Sequence, residues 1–297
     1  MVVESMKMGF IDPFTAECGN LVSYHDLTMV VAVGVMVLVL FFLAGFLFFR
    51  FFLKGYGCSN LTKHNKVEIF WTTSPGVLLC FLAYLSWVNL YVMEVGLGSD
   101  YHLKVVGRQW YWEYEYYIDS VLLDYVKGWS GGEFLFNFSE WLGVFVWPVS
   151  NFLAEGLEVG VRNTVSVAFD SYSWSYSDSV YNGKGSLMGV NMSFLPFSRK
   201  GSSSEVVFLP VERATEVSIS TGDVIHSWGV PALGVKMDAV PGRTNHLCVE
   251  PLSVGFLGGN CYELCGYGHS VMPISIGVVS EGAFLDVLKL GLNSVGE

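Results

Sequence analysis

The strongest constraint on this chain is a pair of long uncharged runs near its N-terminus. Leu27 to Phe49 contains no Asp, Glu, Lys or Arg and is dominated by Val, Leu, Met and Phe. Ile69 to Met93 is a second such run, with Pro75 near its start and Trp87 and Tyr91 near its end. A helix needs about 20 predominantly apolar residues to cross the hydrocarbon core of a bilayer, and each run supplies them. Two buried helices of a soluble core are the alternative, which segments this long and this uniformly apolar disfavour. Aromatic residues at the end of the second run suit the membrane interface. A proline in the first turns of a helix removes no intrahelical donor, so Pro75 is compatible with a helix that begins near Ile69.

The connection between the runs carries Arg50, Lys54, Lys63 and Lys66, whereas the N-terminal arm carries Lys7 as its basic residue. The positive-inside rule then places the connection in the matrix or cytoplasm and both termini on the opposite side. No basic segment followed by a short apolar stretch and a small-residue cleavage site precedes the first run, so it is expected to insert uncleaved.

Composition agrees with a membrane class: 52% of the 297 residues are hydrophobic, 15% aromatic and 14% charged. The net charge is −11, and most of the acidic excess lies after residue 98. An acidic surface repels nucleic acid and favours a basic protein partner, although solubility alone would also account for it. From about Ser99 the pattern changes to short β-branched and aromatic runs broken by Gly and Pro, as in HLKVVGRQWYWEYEYY, SEVVFLPVERATEVSISTGDVIHSW and MPISIGVVS. These predict an all-β sandwich or barrel. GAFLDVLKLGL near the C-terminus predicts a short closing helix. The stretch 118–200 breaks the rhythm and reads as a large insertion, rich in Gly, Ser, Trp and Phe. Within it, SYSWSYSDSVY alternates as one exposed strand would, and EWLGVFVWPVSNFLAEGL is too broken by Pro148 for a third span. The expected organisation is an arm (1–26), a helical hairpin (27–98, spans about 27–50 and 69–94) and a β domain (99–297).

Of the six cysteines, Cys18, Cys58 and Cys80 lie in or near apolar segments and Cys248 stands alone in a strand-like run. A disulfide framework is not expected. Cys261 and Cys265 are close together in GNCYELCGYGHSVMP, followed by His269 and Met272 in the spacing C-x3-C-x3-H-x2-M. Thiolate and thioether are soft donors, which hard cations do not select. Zinc is a live alternative, with Cys261, Cys265, His269 and a distant His226 as a tetrahedral set. That set leaves Met272 without a role, whereas copper uses Met as a weak axial ligand beside His and Cys, so the chemistry favours copper. A mononuclear blue site needs one Cys and two His. Two thiols this close can instead bridge two coppers, each completed by one imidazole, His226 from DVIHSW and His269. The backbone carbonyl of Glu263, between the cysteines, is a further weak ligand and leaves its carboxylate free.

The residues quoted so far match a known family. CYELCGYGHSVMP, STGDVIHSWGVPALGVKMDAVPGR, VVGRQWYWEYEY, VEIFWTTSPGV and YHDLT occur in the order found in subunit II of the haem–copper cytochrome c oxidases, and the resemblance covers most of the chain outside the insertion. It implies a cupredoxin-like domain on a two-helix transmembrane hairpin. It also implies a dinuclear CuA centre with Cys261 and Cys265 bridging, His226 and His269 terminal, and Met272 and the Glu263 carbonyl weak. The Glu263 carboxylate resembles a ligand to a magnesium ion shared with subunit I. Trp110 resembles the aromatic where electrons arrive from cytochrome c, and Glu115 and Asp223 match acidic docking positions. Glu68 resembles a carboxylate at the mouth of a proton path into subunit I. Read without the family, Trp110 is a buried sandwich aromatic, Glu115 and Asp223 are solvated carboxylates, and Glu68 is an interfacial charge.

Two departures stand out. An acidic docking position ahead of FLP falls on Ser204, with Glu205 beside it, and the insertion has no counterpart in the family. Its aromatics are expected to pack on neighbouring oxidase subunits. The function implied is uptake of electrons from cytochrome c and their delivery to haem in subunit I, where oxygen is reduced with proton pumping. A quinol oxidase subunit, a membrane-anchored copper-delivery protein and a structural zinc module are the alternatives. The expected location is the mitochondrial inner membrane with the β domain in the intermembrane space, ahead of a bacterial plasma membrane.

Overall fold

The computed structural model describes residues 9–52, 63–94, 98–118, 128, 165–171, 173–174, 202–203 and 206–295. The chain divides into two compact units, Asn20–Val92 and Met1–Gly19 together with Met93–Glu297.

The first unit is helical. Helix α1 runs from Ala16 to Phe52 and helix α2 from Asn65 to Glu94. Both contain windows long and apolar enough to cross a membrane, and almost none of either window is buried inside the chain. Such helices find their apolar surroundings outside the polypeptide. Helix α1 starts well before the uncharged run, because Thr15 caps it: the Cys18 N–H donates to Thr15 Oγ1 at 3.1 Å. Helix α2 also starts earlier than Ile69. Pro75 therefore stands beyond the first two turns and does remove an intrahelical donor, which corrects the expectation. The neighbouring turn carries extra bonds, with Thr72 Oγ1 donating to the Glu68 carbonyl (2.8 Å) and Thr73 Oγ1 to that of Ile69 (2.7 Å).

The second unit is the β sandwich. Its strands are β1 (Tyr101–Arg108), β2 (Tyr111–Ile118), β3 (Val165–Ser171), β4 (Ser173–Trp174), β5 (Ser202–Ser203), β6 (Val207–Pro210), β7 (Thr215–Thr221), β8 (His226–Val230), β9 (Val235–Ala239), β10 (Asn245–Val249), β11 (Gly255–Cys261) and β12 (Pro273–Val279). One sheet has the order β10-β7-β1-β2-β3, the other β6-β12-β11-β8-β9, and β4 pairs with β5. Strands β1 and β7 pair in parallel, as do β12 and β6. In the first sheet burial alternates, so one face meets the core and the other meets water. Strands β8 and β12 are buried throughout, as a strand covered on both faces must be.

Trp112, Tyr114, Leu103, Ile118 and Ile219 from the first sheet meet Trp228, Leu209 and Leu257 from the second in one core. Polar links cross it. The Tyr116 hydroxyl donates to the Phe208 carbonyl and accepts from the Phe208 N–H, both at 2.8 Å. Trp228 Nε1 donates to the Tyr114 hydroxyl at 3.4 Å. These bonds satisfy aromatic polar atoms that burial would otherwise penalise. The closing helix α3 (Glu281–Val295) buries Ala283, Phe284, Leu285, Val287 and Leu288, with Phe284 edge-on to Tyr101 at 5.0 Å.

Strand β3 lies inside the stretch read as an insertion, and it pairs with β2 from Trp112↔Ser171 to Ile118↔Val165. That stretch is therefore partly integral to the sandwich. The alternation in VSVAFDS is the period-2 signal that identifies it. Most of the rest of 118–200, including the apolar run around Pro148 and most of SYSWSYSDSVY, lies outside the described residues. So do Ser204 and Glu205.

The segment ahead of α1 belongs to the β unit. The Phe14 N–H donates to the Ala232 carbonyl (2.9 Å), the Leu252 N–H donates to the Phe14 carbonyl (2.7 Å), and Thr15 Oγ1 donates to the Leu233 carbonyl (2.9 Å). Phe14 is buried in the sandwich core, and Thr15 and Cys18 are buried beside it, so part of the expected arm is a docked piece of the domain.

Candidate metal centre

The centre forms where β8 meets the end of β11. The register Cys261↔Trp228 and Asn260↔Gly229 brings His226, at the start of β8, beside Cys261, the last residue of β11. His226 Nδ1 lies 3.9 Å from Cys261 Sγ. The loop after β11 then folds back. Cys265 Sγ lies 3.7 Å from His269 Nδ1 and 3.4 Å from Met272 Sδ, and Cys261 Sγ lies 3.3 Å from the Glu263 carbonyl oxygen. A 3-10 turn at His269–Val271 returns the chain to β12, and the Cys261 N–H donates to the Met272 carbonyl at 3.2 Å. His226, Cys261 and Cys265 offer ligand atoms that all lie within 4.8 Å of one another.

His226, Cys261, Cys265 and Met272 are buried. The set comprises two thiols, two imidazole nitrogens, a thioether and a carbonyl, the soft and borderline donors that copper selects. Each imidazole faces a different sulfur, which fits a pair of metals bridged by the thiolates better than one tetrahedral ion.

The electrostatics of the thiols are unequal. Burial opposes ionisation of Cys261, but His226 beside the sulfur and hydrogen bonds with the backbone at Ser227 and Glu263 outweigh it and bring the pKa to about 7. Cys265 is pushed up to about 12, first by burial and then by the charge on Cys261. Two adjacent thiolates therefore need cationic charge between them, which is what bridged metal ions supply.

Asp223 positions His226. Its Oδ1 lies 2.9 Å from His226 Nε2, and the same carboxylate accepts from the backbone N–H of Gln109 (2.7 Å) and of Val224 (2.6 Å). Burial raises the Asp223 pKa, yet these bonds, led by that to His226, leave it below the ordinary carboxylate range. An ionised carboxylate only accepts, so Nε2 carries the proton and Nδ1 presents its lone pair towards Cys261. Trp112 packs edge-on against the same ring at 5.8 Å.

Trp110 lies over the loop, not in the core, and its Nε1 donates to the Cys265 carbonyl at 3.3 Å. Gln109 Nε2 donates to that carbonyl at 3.0 Å. Sequence reasoning missed Gln109, Trp112 and the double task of Asp223. The string Thr-Gly-Asp-Val-Ile-His, which places an acceptor three residues before a ligand, is the one signal that could have exposed the last of these. The remaining expected site residues lie elsewhere. Glu115 sits on β2 with a carboxylate oxygen 2.9 Å from Lys104 Nζ, and Glu68 is an exposed first-turn residue of α2 in the helical unit. The Glu263 side chain is half-buried beside the centre.

Two family models match this chain: cytochrome C oxidase subunit II, transmembrane domain, over residues 3–88, and cytochrome C oxidase subunit II, periplasmic domain, over residues 161–279. Cytochrome c oxidase subunit 2 of Oenothera berteroana is 30% identical over 278 residues, 93% of this chain and 87% of the relative. That of Apis koschevnikovi is 28% identical over 267 residues, 90% of this chain and 89% of the relative. The crystal structure of the periplasmic domain of subunit II of cytochrome oxidase from Bradyrhizobium japonicum aligns at 23% identity with a TM-score of 0.42, over 67% of this chain and 98% of its own. With two membrane-spanning helices, a β sandwich and a Cys–Cys–His–Met loop closed by a distant histidine, this chain belongs to the cytochrome c oxidase subunit II family, membrane-anchored subunits of an oxidoreductase.

Proposed function

We propose that this chain takes up electrons from cytochrome c at a dinuclear copper centre and passes them to haem in subunit I, where oxygen is reduced to water with proton pumping. The observation that carries the reading is the pairing of two buried thiols with two imidazoles from separate elements, closed by Met272 and the Glu263 carbonyl. Cys261 and Cys265 would bridge, His226 and His269 would each hold one copper, and Met272 and Glu263 O would be weak ligands. The centre, when bound, stores and releases one electron at a time.

Every other task falls to the polypeptide. Burial in the sandwich excludes water, and Asp223 and Trp112 hold His226 in one orientation, which limits reorganisation when charge changes. Trp110 joins the solvent to the Cys265 carbonyl, which supports its role where electrons arrive. Glu115 and Asp223 are assigned to docking of a basic donor, Glu68 to the mouth of a proton path and the Glu263 carboxylate to magnesium shared with subunit I. The hairpin (27–98) and the copper domain (99–297) carry over, whereas the expected arm (1–26) divides into a segment docked on the β unit and the start of helix α1; the assigned location is the mitochondrial inner membrane with the β domain in the intermembrane space.

Metal analysis and electron paramagnetic resonance of the assembled oxidase test the reading. Two coppers in this subunit with a delocalised mixed-valence signal, abolished by Cys265→Ser, are expected. One zinc, or the signal of a single copper, would sink it.

A further inference from the structure

The outer face of the first sheet carries a cluster that the metal centre does not use. Strand β7 lies between β1 and β10, and Glu216 stands opposite His102 on one side and Cys248 on the other. Two imidazoles share its carboxylate: Oε2 lies 2.9 Å from His102 Nδ1, and Oε1 lies 2.9 Å from His246 Nδ1. His246 precedes Cys248 by two positions, so strand alternation puts both on the face that carries Glu216. Leu103, Val217, Leu247 and Val249, on the other face of the same strands, are buried in the core. The side chains of His102 and His246 are 51% and 57% exposed and that of Glu216 is 34% exposed, which leaves the cluster open to an ion from solvent.

Other acids of this sheet are matched by a fixed positive charge across strands, Glu115 by Lys104 and Glu113 by Arg108, each at 2.9 Å. Among the described residues no Lys or Arg pairs with Glu216. Acidic charge also gathers around it: the Cys248 thiol is pushed up first by burial and then by the charges of Glu250, Glu17 and Glu216. The groups that face these acids are two imidazoles and a thiol, donors that select a transition ion over magnesium or calcium. Tetrahedral zinc ligands lie roughly 3.4 Å from one another, given bonds of about 2.0–2.2 Å to nitrogen and oxygen. Each His–Glu contact, now 2.9 Å, needs to open by only about 0.5 Å to admit the ion, a small rotation for half-exposed side chains.

We propose that His102, Glu216, His246 and Cys248 form a second metal site, for a divalent transition ion of the zinc type, on the outer face of the β unit. On binding, each imidazole turns a lone pair at Nδ1 to the ion and keeps its proton on Nε2, the thiol releases its proton to solvent, and no electron moves. The ion ties the edge strand β10 through β7 to β1, so its role is structural. The site is independent of the copper reading, because His226 and Cys261 belong to the second sheet and Cys265, His269 and Met272 to the loop after it.

The test is equilibrium dialysis of the assembled oxidase against buffered free zinc, comparing wild type with His102→Gln, His246→Gln, Glu216→Gln and Cys248→Ser. Each variant should weaken one zinc site per subunit by about tenfold or more, since even the loss of a group behind a ligand costs that much. Ser218→Ala, on the same face, should bind as wild type does. Copper content and the mixed-valence signal should be the same in all. Saturating zinc should also raise the temperature at which the copper signal is lost on heating in wild type, but not in Glu216→Gln. Equal zinc binding by wild type and Glu216→Gln would overturn the proposal and leave a hydrogen-bonded clamp. A loss confined to one of the two histidine variants would overturn it too, by reducing the site to a single surface imidazole. Wild-type affinity in Cys248→Ser would overturn this ligand set.

Discussion

Adding a single methyl group at Gly268 should disconnect Trp110 from the metal loop. A Cβ built there lies 2.4 Å from Trp110 Cγ, 2.6 Å from Cδ2 and 2.8 Å from Cβ. Carbon atoms settle at about 3.5–4.0 Å, so the indole or the loop must retreat by about 1 Å. Gly268 has φ −87°, a value alanine adopts freely, so the penalty in Gly268→Ala is steric. Overpacking of this kind costs about 1–3 kcal/mol. The 3.3 Å bond from Trp110 Nε1 to the Cys265 carbonyl is already long, and a further 1 Å breaks it, adding about 1 kcal/mol. Misplacement by about 1 Å of a group that aligns reacting partners can lower a rate about a hundredfold. Stopped-flow reduction of the assembled oxidase by cytochrome c should therefore slow by about 10–100-fold in Gly268→Ala. The decisive control is the double variant. In a Trp110→Ala background the contacts to Cγ and Cδ2 are gone and of the three only that to Cβ at 2.8 Å remains, so Gly268→Ala should add much less. An unchanged rate in the single variant would refute the reasoning. So would an equally large effect, on rate or on copper content, in the Trp110→Ala background.

Three further perturbations separate the layers of the structure. Leu257→Ala removes a fully buried side chain between the sheets and should cost about 2–5 kcal/mol, read as a lower temperature for thermal loss of the copper signal; an unchanged temperature would contradict the core described above. Asp223→Asn places an amide donor among the groups that the carboxylate now accepts from, and copper affinity, measured by competition with a chelator, should fall about 10–100-fold, whereas unaltered competition would remove Asp223 from the site. Metal loading should weaken as pH falls, because binding displaces protons from the thiols. Cys265, pushed up to about 12, releases one throughout the neutral range, and Cys261, near 7, releases another only below that pH. Protons released per centre should therefore rise as the pH drops through about 7, and a flat or falling count would refute the inequality of the two thiols.

The legible parts of this protein are those in which neighbours in sequence are also neighbours in space. The uncharged runs are read directly, because a helix in lipid must satisfy its backbone internally and therefore be continuous. The sandwich is legible from alternation in strands such as β7, where buried and half-exposed positions alternate along TEVSIST. Strand β3 was overlooked although VSVAFDS alternates too, because the Gly- and Ser-rich sequence around it dilutes the signal and its partner β2 lies far away along the chain. Pro75 was misplaced within its helix because capping residues and lipid-facing residues obey different rules, so the helix begins before the apolar run does.

By itself the sequence determined the donor types of the metal loop, since Cys261, Cys265, His269 and Met272 lie within one reversal of the chain and their softness is a property of the side chains. It also determined membrane anchoring, because two uncharged runs have few other solutions. Only the tertiary structure decided how those donors are held. Register between β8 and β11 sets His226 against Cys261, and the turn before β8 aims Asp223 at the far nitrogen of that ring. The close approach of Gly266 and Gly268 seats Trp110 over the carbonyl of Cys265. These contacts join residues far apart in the chain, and their energies depend on distances of a few tenths of an ångström that composition and spacing do not encode.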